Sequence, residues 1–109
     1  VTVNIVAEDW NVYLPKVLEN DFTATILGES GQSDPDDFLY DVFRTGGGGN
    51  LGLYSNAELD ALLDQGRQVA DQDERKAIYL QAQELILDEA PQVFLFHSAQ
   101  YEALRSNVM

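Results

Sequence analysis

Four aspartates crowd one short stretch of the chain: Asp34, Asp36, Asp37 and Asp41. Oxygen donors this dense invite a hard cation such as calcium. A twelve-residue calcium loop begun at Asp34 needs Gly at its sixth position and Glu at its twelfth; the chain has Leu39 and Thr45 there. The residues read instead as a helix start. Asp34 can accept from the free N–H groups of a first turn. Pro35 takes the first helical position, where its missing N–H costs nothing. Asp36 and Asp37 lie at the positive end of the helix dipole, and Phe38, Leu39, Val42 and Phe43 make one apolar face. A capped helix that follows a strand and a polar loop is how α/β proteins set backbone donors beside a cleft.

The other reactive residues fit no catalytic pattern. His97 is the only histidine, so no histidine cluster can hold a metal, and a packed or hydrogen-bonded structural role is expected for it. Ser98 lacks the Gly-x-Ser-x-Gly turn of a nucleophile elbow. The run Gly46 to Gly49 precedes no Gly-Lys-Ser/Thr and is no phosphate loop; it is expected to end a helix and form a flexible link. Asp36/Asp37 and Asp88/Glu89 read as helix-end charge, the second pair unfavourable for the helix dipole. The absence of cysteine excludes disulfides, zinc–thiolate sites and thiol catalysis. No catalytic residue, metal site or cofactor is expected, and no enzyme.

Charge narrows the partners. Six Lys and Arg against nineteen carboxylates give a net charge of −13, which excludes nucleic acid and disfavours an anionic membrane surface. Hydrophobic residues still make up 45% of the 109, enough for one modest domain with a core. No apolar run approaches the ~20 residues of a membrane span. The chain opens at Val1 without a signal peptide or initiator Met, as an excerpt of something longer or a processed product would.

The elements needed to position these residues follow from periodicity. Residues 1–7 and 22–28 read as strands, with a helix near 12–20 between them. Pro15 favours Asn11 over Asp9 as that helix's cap, because it then falls in the first turn. The strand–helix–strand unit is expected to be parallel with a right-handed crossover. The loop Gly28 to Ser33 leads into a helix over 35–44. Ser55-Asn56-Ala57-Glu58 reads as a capping box opening a helix to residue 70, with Leu59, Leu62, Leu63 and Val69 on one face. Gly66 weakens it by ~1 kcal/mol relative to Ala. Asp71 with Glu74 starts the longest helix, 72–89, with Ile78, Ala82, Leu85 and Ile86 inward, and Pro91 forbids its continuation. Val93 to Phe96 reads as a buried strand, and residues 98–108 as an extended segment with Tyr101 and Leu104 packed. The fold class expected is α/β, with three strands in one sheet covered by helices.

Several stretches together resemble the extracytoplasmic solute-binding proteins of peptide-type ABC importers, the dipeptide and oligopeptide binders. Asp34-Pro35-Asp36-Asp37-Phe38-Leu39 is similar to that family's Asp-Pro helix. Asn50, Tyr54-Ser55-Asn56, Asp60 and Leu62-Leu63 resemble its Asn … Tyr-x-Asn-x-x-x-Asp-x-Leu-Leu stretch. Asp73-Glu74-Arg75, Tyr79, Gln83, Ile86 and Ala90-Pro91 resemble its Asp-x-x-Arg … Tyr … Gln … Ile … Ala-Pro helix and strand entry. His97-Ser98, Tyr101-Glu102 and Arg105 fit the segment that follows. Order and spacing carry the likeness, over essentially the whole chain.

The resemblance implies a periplasmic-binding-protein-like fold of two lobes closing on a ligand. Residues 1–109 then form a single partial domain, the C-terminal portion of the second lobe. It implies an extracytoplasmic, periplasmic location and a substrate-binding component that passes a small peptide or polar solute to a membrane permease. Ligand contacts are expected from Gly28, Glu29, Ser30, Gly31 and Gln32, through backbone donors, small side chains and the Glu29 carboxylate. Peptide binders often carry Gly-Trp and then an amine-binding Asp before Asp-Pro; the loop Gly28 to Ser33 has no Trp, and Gly31 stands in that Asp's place. The ligand class therefore extends to other polar solutes, an opine or a sugar. Apolar surface is expected to let the chain self-associate. The alternative is a free-standing acidic interaction module that uses the 56–89 helix pair as its docking face. A pure helical bundle would overturn the family assignment together with the α/β fold.

Overall fold

The structure, a computed structural model, describes residues 2–28, 33–97, 99, 101 and 103. Its elements are four helices: α1 (Trp10–Leu18), α2 (Pro35–Phe43), α3 (Ala57–Gly66) and α4 (Gln72–Glu89). α3 packs most extensively on α4 and also against α2. Leu39 and Phe43 of α2, Leu59 and Leu63 of α3, and Tyr79, Ala82 and Ile86 of α4 close one core. Each large side chain taken fully from water there contributes roughly 1.5–3 kcal/mol.

Three of the four helix starts are written locally. Asp34 caps α2, accepting from the Asp36 N–H at 2.9 Å, with Pro35 at the first position. Asp71 caps α4 through the Glu74 N–H. Asn56 caps α3, accepting from the N–H groups of Glu58 and Leu59. The cap is therefore Asn56, one residue later than Ser55; Leu59 at the third helical position closes no capping box, and the Ser55 hydroxyl pairs with Thr45. α3 ends at Gly66 rather than at residue 70. Ala90 ends α4 in the left-handed region, φ 46°, just before Pro91.

The start of α1 departs from expectation. Asp9, not Asn11, is the cap, taking both the backbone N–H and the side-chain amide of Asn11, and Pro15 lies inside the helix. A proline there removes one ladder bond and crowds a carbonyl; the two-donor cap holds the helix start regardless.

The expected α/β fold is not formed: no strand occurs among the described residues. Residues 2–9, 22–28 and 93–97 lack regular structure, and the strand–helix–strand unit does not pair. Ile5 is 91% exposed, Ile26 76% and Phe96 78%. A helix closes its hydrogen bonds within itself, whereas a strand needs a neighbour to satisfy every N–H and C=O. Periodicity encodes which face is apolar, not who the neighbour is. Tyr101, expected to pack, is 91% exposed; Leu104 lies outside the described residues. The radius of gyration, 17.2 Å, exceeds the ≈ 13 Å of a compact domain near this length.

Candidate functional site

Gly28 closes the segment 22–28 in an exposed position, and a Cβ added there would meet nothing within 4 Å. Glu29, Ser30, Gly31 and Gln32 lie outside the described residues. What the structure does define is the base from which that loop leaves. On its upstream side, the Tyr13 hydroxyl is 2.6 Å from both the Thr25 hydroxyl and the Ile26 carbonyl. Thus α1 holds the segment before Gly28 by side-chain hydrogen bonds instead of a sheet. Lys16 also pairs with Glu8.

The downstream side is held more firmly. Arg75 of α4 donates twice to Asp34, at 2.7 and 3.0 Å, in the two-pronged geometry that makes guanidinium–carboxylate pairs strong. Two residues on, Asp36 accepts from Arg67 Nε at 2.9 Å and from the Tyr79 hydroxyl at 2.8 Å. Arg67 stacks 3.2 Å over the Tyr40 ring, and Arg75 lies 4.8 Å from the centre of the Tyr79 ring. The Arg75 hydrogen bond holds the Asp34 carboxyl below its usual range, helped by the Asp36 N–H. Burial pushes Asp36 up, but the bonds from Arg67 and Tyr79 outweigh it and the net direction is down. Burial, with the bond to Asp36, pushes the Tyr79 hydroxyl up to about 12.

Gly66 belongs to this assembly. A Cβ there would fall 2.8–2.9 Å from the Tyr79 ring, and its carbonyl accepts from Arg75 Nε at 3.1 Å. The glycine that weakens α3 in isolation is what lets Tyr79 reach Asp36.

A second polar cluster shapes the turn between α2 and α3. Asn50 is buried, its amide donating to the carbonyls of Arg44 and Tyr54 while its oxygen accepts from the Tyr54 N–H. The Tyr54 hydroxyl and the Asn56 amide both donate to Glu89 at the end of α4. These bonds lower the Glu89 pKa, and burial with Glu89 raises that of Tyr54 to about 12. Within the run Gly46 to Gly49, expected to be a flexible link, Gly47 and Gly49 pack closely against Asp41, while Gly46 and Gly48 are exposed. A Cβ on Gly47 would lie 2.2 Å from the Asp41 carbonyl oxygen, and one on Gly49 would lie 2.5 Å from the Asp41 carboxylate.

None of this is a reactive constellation. His97 is exposed, so the packed role expected for it does not hold. No group of three or more His, Asp or Glu among the described residues could hold a metal. No helix among them is long and apolar enough to cross a membrane. An open groove between α3 and α4 is lined by Glu58, Leu62, Gln81, Glu84, Leu85 and Asp88. Sequence reasoning missed the arginine–aspartate clamp. Asp34 and Arg75 are 41 residues apart, and only their joint membership in the family-like stretches hinted that they meet.

No protein-family model matches the chain. Curated proteins do. Heme-binding protein A of Haemophilus influenzae is 33% identical over 99% of this chain. The dipeptide-binding protein of Escherichia coli is 28% identical over 99%, and the dipeptide-binding protein DppE of Bacillus subtilis 34% over 84%. The chain spans about a fifth of the length of the curated relatives it matches, 20% and 21% for the first two. The absence of a strand among the described residues overturns the expected fold, and with it the expectation that a helical chain would exclude this kinship, because the sequence matches stand independently of the fold. The chain is similar, as a segment, to dipeptide- and heme-binding solute-binding proteins, and its matches cover a fragment of each.

Proposed function

We propose that this chain is part of the substrate-binding component of an ABC importer, which captures a peptide or similar small polar solute outside the cytoplasm and delivers it to a membrane permease. The observation that carries this is likeness over 99% of the chain to proteins named for binding dipeptides and heme. The contacts are assigned to Gly28, Glu29, Ser30, Gly31 and Gln32. Disruption of the encoding gene, followed by uptake of labelled dipeptides, tripeptides and hemin, is the test. Loss of uptake of one class is expected; unchanged uptake of all three overturns the proposal.

In this reading the chain supplies only part of a closed site, so water competes for its contacts. Calorimetric titration of the 109-residue chain with dipeptides is expected to give nothing tighter than about millimolar, near 4 kcal/mol. Micromolar binding would place the whole site within this segment. In the complete binding component, Glu29→Gln is expected to weaken an amine-bearing ligand at least about tenfold, ~1.4 kcal/mol. Unchanged affinity removes Glu29 from the site.

Exposed Val3, Ile5, Val93, Leu95 and Phe96 support self-association of the isolated chain. A strictly monomeric species at high concentration in light scattering would count against it. The second reading, an acidic interaction module, draws on the open α3–α4 groove with Glu58, Glu84 and Asp88 at its edge. The reading frame separates the two: several hundred residues upstream with a leader favour the importer, and boundaries near these ends favour the module.

A further inference from the structure

We propose that two copies of this chain pair through one exposed face of α4, antiparallel and related by a two-fold axis near Gln83. Residues three, four and seven apart share a helix face, so Lys76, Leu80, Gln83 and Leu87 form one stripe of α4. Leu80 is 49% exposed and Leu87 66%, and neither belongs to the core that Tyr79, Ala82 and Ile86 close. The stripe carries no carboxylate. In a chain of net charge −13 that is the exception, and on α4 Asp73, Glu74, Glu84 and Asp88 all lie outside it. Beside Leu80 the surface dips into an open hollow of about 330 Å³, whose walls include Pro35, Tyr79 and Gln83.

Charge selects a second copy as the occupant. Two strongly acidic chains repel wherever their carboxylates face one another, and this stripe lets them meet without doing so. The spacing makes it self-complementary. With Gln83 at the axis of an isologous pair, Leu80 faces Leu87 of the second copy and Leu87 faces its Leu80, each a knob beside the hollow of the other. Lys76 then lies against the last α4 turn of the second copy. That turn contains Asp88 and no basic residue of its own, so a cation there offsets the negative end of the helix dipole. Lys76 forms no ion pair within the chain among the described residues. The contact deepens the self-association proposed above by giving it a defined surface away from the flanks, and it assumes nothing about the ligand.

Sedimentation velocity of the 109-residue chain over a concentration series reads the pairing. One helix face is at the small end of protein interfaces, so a monomer–dimer exchange at high concentration is expected. Leu80→Glu and Leu87→Glu each set a carboxylate in the seam and should weaken the dimer at least about tenfold, with an unchanged far-ultraviolet dichroism spectrum because both positions are exposed. Ile5→Glu, on the flank, should leave the dimer intact. A monomer at every concentration gives the face to another partner and overturns the proposal. Association lost in Ile5→Glu but kept in both α4 variants moves the contact to the flank and overturns it equally. The chain has no cysteine, which allows a second reading of the same contact. Gln83→Cys should form an intermolecular disulfide under mild oxidation, whereas Gln81→Cys, on the side of the α3–α4 groove, should not. Equal cross-linking of the two would show random collision and sink the two-fold arrangement. Neither measurement needs a ligand, so both are independent of the uptake and Glu29→Gln results.

Discussion

Leu63 of α3 and Ile5 of the N-terminal segment differ by the placement of one methyl group, yet Leu63 is 0% exposed and Ile5 91%. The contrast extends to their surroundings. The α2–α4 body is packed through one core, capped at each helix start and laced by Asp34–Arg75, Asp36–Arg67 and Arg44–Asp64. The flanking segments 2–9, 22–28 and 93–97 are equally rich in large apolar residues and bury few of them. Hydrophobicity alone therefore does not decide burial here. What separates the regions is whether a segment can satisfy its backbone without a partner. The helices do so internally and need only bring one face together; the extended segments do not.

The sharpest way to break this comparison is to treat both regions alike. Leu63→Ala is expected to cost about 2–5 kcal/mol, the range for emptying a close-packed site. Ile5→Ala should stay within about 0.5 kcal/mol, as exposed substitutions usually do. Urea unfolding followed by far-ultraviolet dichroism measures both. Equal costs would show that the flank is folded onto the body.

A smaller effect tests the turn between α2 and α3. Gly47→Ala sets a Cβ 2.2 Å from the Asp41 carbonyl oxygen, and the forced backbone shift should cost upwards of about 1 kcal/mol. Gly52→Ala meets nothing within 4 Å and should be neutral or stabilising by up to about 1 kcal/mol. Similar melting temperatures for the two would return the glycine run to the role of flexible link.

The smallest expected effect is the pH dependence, because the paired groups are largely solvated. Asp34, Asp36, Asp64 and Glu89 all have lowered folded pKa values. Their contribution is complete above the ordinary 3.8 to 4.5 and is lost as pH falls through the lowered folded values. Tyr54 and Tyr79 are raised from 10.0 to about 12, so theirs is complete below pH 10.0 and is lost as pH rises toward about 12. Urea midpoints should be flat between these limits. Asp34→Asn should shrink the acid-side loss and leave the alkaline side unchanged.

Much of the body was legible in the chain. Asp34-Pro35 announces α2, Asp71 with Glu74 announces α4, and Pro91 marks its end, because each acts on its own neighbours in sequence. Errors arose where a local cue competed with another. Pro15 argued against Asp9 as a cap, and Asp9 prevailed by taking two donors from Asn11. Ser55 and Asn56 competed for one helix start, and Asn56 took it. Beneath the candidate site, the Asp34–Arg75 clamp was not legible, because its partners lie 41 residues apart in sequence.

The amino-acid order by itself determined the helices, the caps of α2 and α4, the acidic balance of the chain, and its likeness to solute-binding proteins. Those properties depend on side chains a few positions apart or on order along the chain. Tertiary structure alone decided that Gly66 makes room for Tyr79, that Asn50 organises a turn, that Arg75 reaches Asp34, and that the strand-like segments stay unpaired. Each of these depends on groups distant in sequence coming within a few ångströms, and pairing of that kind is set by how the helices pack, not by the periodicity of any one segment.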